Sequence, residues 1–166
     1  MKTFFRTLLF PATISLFLMC GTATAGVFYV LEPGTTYQEG CIEPCMCPVM
    51  LSEEVSGTFL LTRQKSGDPW FARYHLSRIK WTVTGQDETS IHSLTGRGMY
   101  QVGGDFVLTQ QLILDLRIDG GELQHLDSGM IPGGSEFPVI SISVDRGTQC
   151  YGIWMDIRAV PVSVCK

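Results

Sequence analysis

Three cysteines fall within the segment Cys41-Ile42-Glu43-Pro44-Cys45-Met46-Cys47, and Cys150 and Cys165 stand near the end of the chain. Thiols grouped this way can be oxidised to disulfides, can hold a soft metal ion or can exchange electrons, and the compartment decides which. The first 25 residues point to export. Lys2 and Arg6 precede an apolar stretch from Leu8 to Met19, and Ala23-Thr24-Ala25 offers the small residues at which a secretion signal is cut. The expectation is a signal peptide over residues 1–25 and a single β domain over residues 26–166, secreted or periplasmic. Cys20 follows the bulky Met19 and would be discarded with the signal; the alternative is a lipoprotein anchored at Cys20.

Processing would leave Cys41, Cys45, Cys47, Cys150 and Cys165, an odd set that makes two bridges and leaves one cysteine over. Either the N-terminal cluster is stapled to Cys150 and Cys165, or a local bridge accompanies a Cys150–Cys165 bridge; spacing does not choose. The leftover thiol could join two chains in a disulfide-linked dimer. No cofactor is expected. The alternative is a copper ion on Cys41, Cys45, Cys47 and Met46, soft sulfur ligands of the kind Cu(I) prefers, or a thiol-redox centre on the same cysteines. The Cys41-x-x-x-Cys45 spacing resembles that of the copper-handling proteins of cytochrome oxidase assembly. That resemblance implies a distant histidine ligand and a thioredoxin-like fold, and the chain has no βαβ pattern to build one. Zinc-ribbon spacing is absent.

The histidines are His75, His92 and His125. In the hairpin closed by Asp119-Gly120-Gly121, either turn register pairs His125 with Leu114 or Leu116, which would aim its ring at the apolar face together with Leu123. A hydrogen-bonded core histidine accounts for that position more simply than a ligand contact. Convergence of the three histidines cannot be read from their separations.

Nucleophile elbows, zinc-protease helices and phosphate-cradling loops are missing, so catalysis is not expected; a hydrolase without a recognisable motif is the enzymatic alternative. Gly96-Arg97-Gly98 and Gly103-Gly104 read as turns or bulges between strands. Trp70, Phe71 and Tyr74 form an aromatic run, and Trp70, after Gly67-Asp68-Pro69, should be exposed at a turn. Trp70, Tyr74 and His125 are therefore the candidate ligand-binding residues, for a small molecule, a glycan or a protein.

These groups must be positioned by strands. From Phe106 to Asp119, Phe106, Leu108, Leu112, Leu114, Leu116 and Ile118 share one parity, interrupted by Gln110, while Thr109, Gln111, Asp115 and Arg117 hold the other. Shorter alternations run over Val55–Thr62, Ile79–Thr84 and Ile140–Asp145, and Ile153–Val164 looks like a last strand with Pro161 at an edge or bulge. A short helical turn is expected around Leu51–Glu54, capped by Ser52. The pattern predicts an all-β, antiparallel β-sandwich or barrel of roughly eight to ten strands, stapled by disulfides. The chain carries 12 basic and 16 acidic residues, a net charge of −4. Removal of residues 1–25 takes away two basic residues and no acidic one, leaving about −6, which argues against nucleic acid. Past the signal, no stretch is long and apolar enough to span a membrane. The expected role is non-catalytic, binding or structural.

Overall fold

A computed structural model describes residues 26–41, 45, 51–147 and 150–162, with the backbone alone at Leu51. Ten strands follow one another: β1 (Val27–Leu31), β2 (Thr36–Cys41), β3 (Leu51–Gln64), β4 (Phe71–Thr84), β5 (Ser90–Gly103), β6 (Thr109–Ile118), β7 (Leu123–Asp127), β8 (Ile131–Pro132), β9 (Ile140–Arg146) and β10 (Tyr151–Pro161). Every pairing is antiparallel, and β2 through β6 are each paired with the next in sequence, β6 also pairing with the short β8. β7 meets β9, β9 meets β10, and β10 returns to β1 and β2, so the sheet closes on itself as an up-and-down barrel.

Closure follows from the alternation. Residues of one parity on each strand face inward and are buried, among them Tyr37, Phe59, Trp81, Leu94, Leu114 and Met155. Each such burial contributes about 1.5–3 kcal/mol. The middle of the barrel is thus a packed core. Phe59 lies edge-on to Trp81 and stacks on Tyr29. Trp81 fills its place by shape, since among the described residues its Nε1 has no hydrogen-bond partner, a deficit of about 1–3 kcal/mol. Lys80, Arg97, Asp115, Arg117, Asp145 and Asp156 take the outward parity. A barrel crossing hydrocarbon alternates the other way, apolar out and polar in. Among the described residues no helix is long and apolar enough to cross a membrane.

β1 and β2 are two halves of one strand position. Both pair with β3 on one side and β10 on the other, and a turn at Pro33-Gly34 separates them. Thr35, fully buried at this break, replaces the missing rung: its Oγ1 donates to the Arg158 carbonyl at 3.0 Å and accepts from the Arg158 N–H at 3.1 Å. A second repair lies where the short β7 gives out. There Gln110, the polar interruption in the β6 alternation, is buried, accepts from the Tyr100 hydroxyl at 3.0 Å and donates to the Ser141 carbonyl of β9 at 2.9 Å.

Several expectations need correction. Residues 51–54 begin β3 and form no helical turn. Phe106 and Leu108 do not extend β6; they sit in the β5–β6 loop with Val107, all exposed. Gly96 and Gly98 lie inside β5, opposite Leu116 and Leu114, and not at a turn. The β6–β7 turn uses Asp119 (φ 50°) and Gly120 (φ 73°), with Gly121 N–H bonded to the Ile118 carbonyl, the type I′ pattern. One extra residue after it shifts the register so that His125 opposes Asp115 and Leu126 opposes Leu114. That single step puts Leu126 in the core and sends His125 and Leu123 outward.

Candidate functional site

The barrel has two mouths, and the groups able to do chemistry divide between them. At one mouth lie the end of β2 and the start of β3, the β4–β5 and β6–β7 turns, and the end of β9 and the start of β10. Cys45 is bridged there to Cys150, with Cα atoms 5.4 Å apart, tying the connection after β2 to the turn before β10. Cys41, opposite Tyr151 in the β2–β10 ladder, is itself disulfide-bonded. A thiolate copper or redox site on Cys41 and Cys45 would therefore require both to be reduced first. Met46, Cys47 and Cys165 lie outside the described residues. Among the described residues no group of His, Cys, Asp and Glu is placed to hold a metal ion.

The same mouth holds a polar cluster that the sequence did not reveal. Inward parity on β2 and β5 sends Glu39 and His92 across the opening toward each other, with His92 Nε2 3.8 Å from Glu39 Oε1. His92 Nδ1 lies 2.7 Å from Asp119 Oδ2, and the other Asp119 oxygen accepts the Ser93 N–H at 2.8 Å. Those bonds, the Ser93 amide foremost and His92 next, hold the Asp119 carboxyl below its usual range. The Tyr37 hydroxyl donates to Glu39, and burial followed by that carboxylate pushes its pKa far up. Tyr151 is raised too, by burial and then by Glu39. The cluster laces β2, β5, β10 and the β6–β7 turn together across the mouth. Among the described residues no serine, threonine or thiol is bonded to His92, so none of these is placed as an activated nucleophile.

His125 is exposed on the outer wall, 2.9 Å from Asp115, which also meets Arg97 at 3.5 Å. His125 first and Arg97 second keep the Asp115 carboxyl low. His75, outward on β4, lies between Thr62 and Met99. The three histidines do not converge. His125 is thus separated from Trp70 and Tyr74, the other two residues read as ligand contacts.

Those two stand at the opposite mouth, ringed by the β3–β4, β5–β6 and β7–β9 connections. A cavity of about 290 Å³ opens there, walled by Val27, Tyr29, Leu61, Tyr74, Phe137 and Pro138, with Arg63 and Pro161 at its edge. Tyr74 packs on Phe137 at 5.1 Å between ring centroids and on Tyr100 at 6.3 Å. A second, open depression of about 730 Å³ shares Arg63 and runs along Lys65, Asp68, Trp70 and Phe71. Trp70 is exposed as expected, its N–H held by the Asp68 carboxylate at 2.9 Å. The Trp70 carbonyl accepts from the Gly104 N–H, so Trp70 adjoins the loop that displays Phe106, Val107 and Leu108.

No protein-family model, no curated protein and no solved structure matches this chain. The geometry of the two mouths therefore carries the functional reading alone.

The tyrosines of the apolar mouth give a pH test. Burial, then the neighbouring Tyr74, raises Tyr29 from 10.0 to about 12; burial, then Tyr29 and Tyr74, raises Tyr100 to about 12 as well. Below the unfolded value both rings are protonated in either state and the stabilisation is whole. As pH climbs toward 12 the unfolded chain releases these protons and the folded barrel keeps them. Stability should fall by about 1.4 kcal/mol per pH unit for each ring in that window. Tyrosinate absorbance should show a late-titrating class that appears together with loss of the circular dichroism signal. Ionisation of every tyrosine at the ordinary value, with structure intact, would contradict this burial.

Proposed function

We propose that the protein is an exported, disulfide-stapled barrel that binds a ligand at the mouth lined by Tyr29, Tyr74 and Phe137 and performs no reaction on it. The observation that carries this reading is the aromatic cavity at one end of an otherwise filled barrel. Aromatic walls with few polar groups are the usual make-up of a small-molecule site. The rim supports it. Phe106 is 95% exposed and Trp70 57% exposed, although burying either ring would stabilise the fold by about 1.5–3 kcal/mol. Consecutive exposed apolar residues on a loop tip serve contact with something else. Export is supported by the composition of residues 1–25 and by the Cys45–Cys150 bridge, since such bridges persist in oxidising compartments.

The neutral apolar dye phenylnaphthylamine provides the test. It should bind the folded protein at one saturable site with enhanced fluorescence. Val27→Trp fills the mouth from a half-exposed wall position without altering the core, and should weaken dye binding at least ~10-fold, about 1.4 kcal/mol, while leaving the thermal midpoint unchanged. Equal binding to V27W and wild type would remove the mouth as the site.

A further inference from the structure

The cavity at this mouth is not uniformly apolar: Arg63 and the hydroxyl-bearing Tyr29 and Tyr74 are part of its lining. Arg63 continues the inward parity of Phe59 and Leu61 and stands opposite Tyr74 in the β3–β4 ladder. Among the described residues it is the one charged side chain lining the cavity. Among the described residues no carboxylate pairs with it. Tyr29, in the wall of the same cavity, is 2% exposed. A guanidinium and tyrosine hydroxyls can all donate, so among the described residues the cavity presents donors at Arg63, Tyr29 and Tyr74, one of them positively charged, and no acidic side chain.

On the reading that this mouth is a binding site, we infer that its ligand is a small carboxylic acid with an apolar, ring-sized body. The carboxylate pairs with Arg63, and the body lies among Tyr29, Tyr74, Leu61 and Phe137. Size fits a ring-sized body: at roughly 30 Å³ per water, a cavity of about 290 Å³ holds about ten waters, room within its walls for about a dozen non-hydrogen atoms, and the open mouth lets a ligand extend beyond them. Charge selects the head group. A carboxylate matches the guanidinium edge with two parallel hydrogen bonds and balances its single charge. A phosphomonoester would bring nearly two negative charges to one cation, and an ammonium would be repelled. Tyr29, kept protonated up to about pH 12, remains a donor throughout the physiological range.

The experiment compares phenylbutyrate, phenylbutanol and phenylbutylamine on the exported protein with its disulfides intact, by calorimetry and by displacement of phenylnaphthylamine. The acid should bind at least ~10-fold more tightly than the alcohol, the worth of one charge-assisted pair, and the amine more weakly than either. Arg63→Gln should erase the difference between acid and alcohol and leave the affinity for the alcohol unchanged. Alcohol binding as tight as acid, or acid preference surviving in R63Q, overturns the carboxylate assignment while the mouth stands as an apolar site. Failure of all compounds to displace the dye, together with unchanged dye binding in V27W, overturns both.

Discussion

Replacing Cys45 and Cys150 together by serine is expected to lower the stability of the barrel by about 4 kcal/mol, within a range of roughly 2–5. The bridge closes a loop with a sequence separation of 105 residues, near the long end over which the entropic effect of a cross-link grows. It sits where β2 and β10 already pair, Cys41 opposite Tyr151 and Gly40 opposite Gly152, so it brings the folded state little new contact. Its effect lies in the unfolded chain, which expands once the cross-link is gone. The urea midpoint should therefore fall while the dependence on urea steepens, because more surface is exposed on unfolding. Coincident urea curves for the double variant and the wild type would refute this.

The second large effect is expected from a single methyl group. Gly96 faces β6 so closely that a Cβ there would stand 2.1 Å from the Asp115 carbonyl oxygen and 3.0 Å from the Leu116 Cα. Both are backbone atoms and cannot swing away. Strands coil tightly in a closed barrel, and a glycine is what lets two of them approach at such a point. Gly96→Ala should cost at least about 3 kcal/mol, because the ladder must part locally to admit the methyl. The stiffer unfolded chain offsets only about 0.4–1 kcal/mol of that. Gly67→Ala is the matched control, since a Cβ there meets nothing within 4 Å, and it should change stability by no more than about 0.5 kcal/mol. Equal urea midpoints for the two variants would show that the crowding at Gly96 is relieved at no cost.

Much of the fold was legible because half-buried strands write their burial in alternation. Phe59 and Leu61, Trp81 and Val83, and Ile142 and Val144 all face inward as their parity required. The β6–β7 register was not legible. Asp119-Gly120 satisfies the same turn chemistry in either register, and the outcome rests on whether Leu126 or Leu123 occupies the core. Position 96 misled for a related reason: glycine suits a turn and a close strand crossing equally, and only the partner strand tells them apart. At the candidate site, Trp70 and Tyr74 were visible as an aromatic run, and Trp70 as the residue after a turn. Tyr29, Arg63 and Phe137 were not, since they come from β1, β3 and the connection before β9 and meet only when the barrel closes. Inward parity on β3 would have placed Arg63 on the same face as Leu61, and that signal was available. The pairing of Glu39 with His92 across the other mouth likewise depends on closure.

The break between β1 and β2 bears on how this chain can change in length. Tyr29 opposes Pro161 and Leu31 opposes Ala159, whereas beyond Pro33-Gly34 the partners of β10 are displaced by two positions, with Thr36 opposite Asp156. The same displacement occurs against β3, where Val30 opposes Thr58 and Thr36 opposes Glu54. Two is the repeat of a strand, so Tyr29 and Leu31 before the break and Tyr37 and Glu39 after it all face inward. Residues gained or lost here in pairs would leave inside and outside as they are. An odd number would turn one half of the strand over, exchanging Tyr37 for Gln38 in the core, so length variation at this site should be tolerated only in even steps.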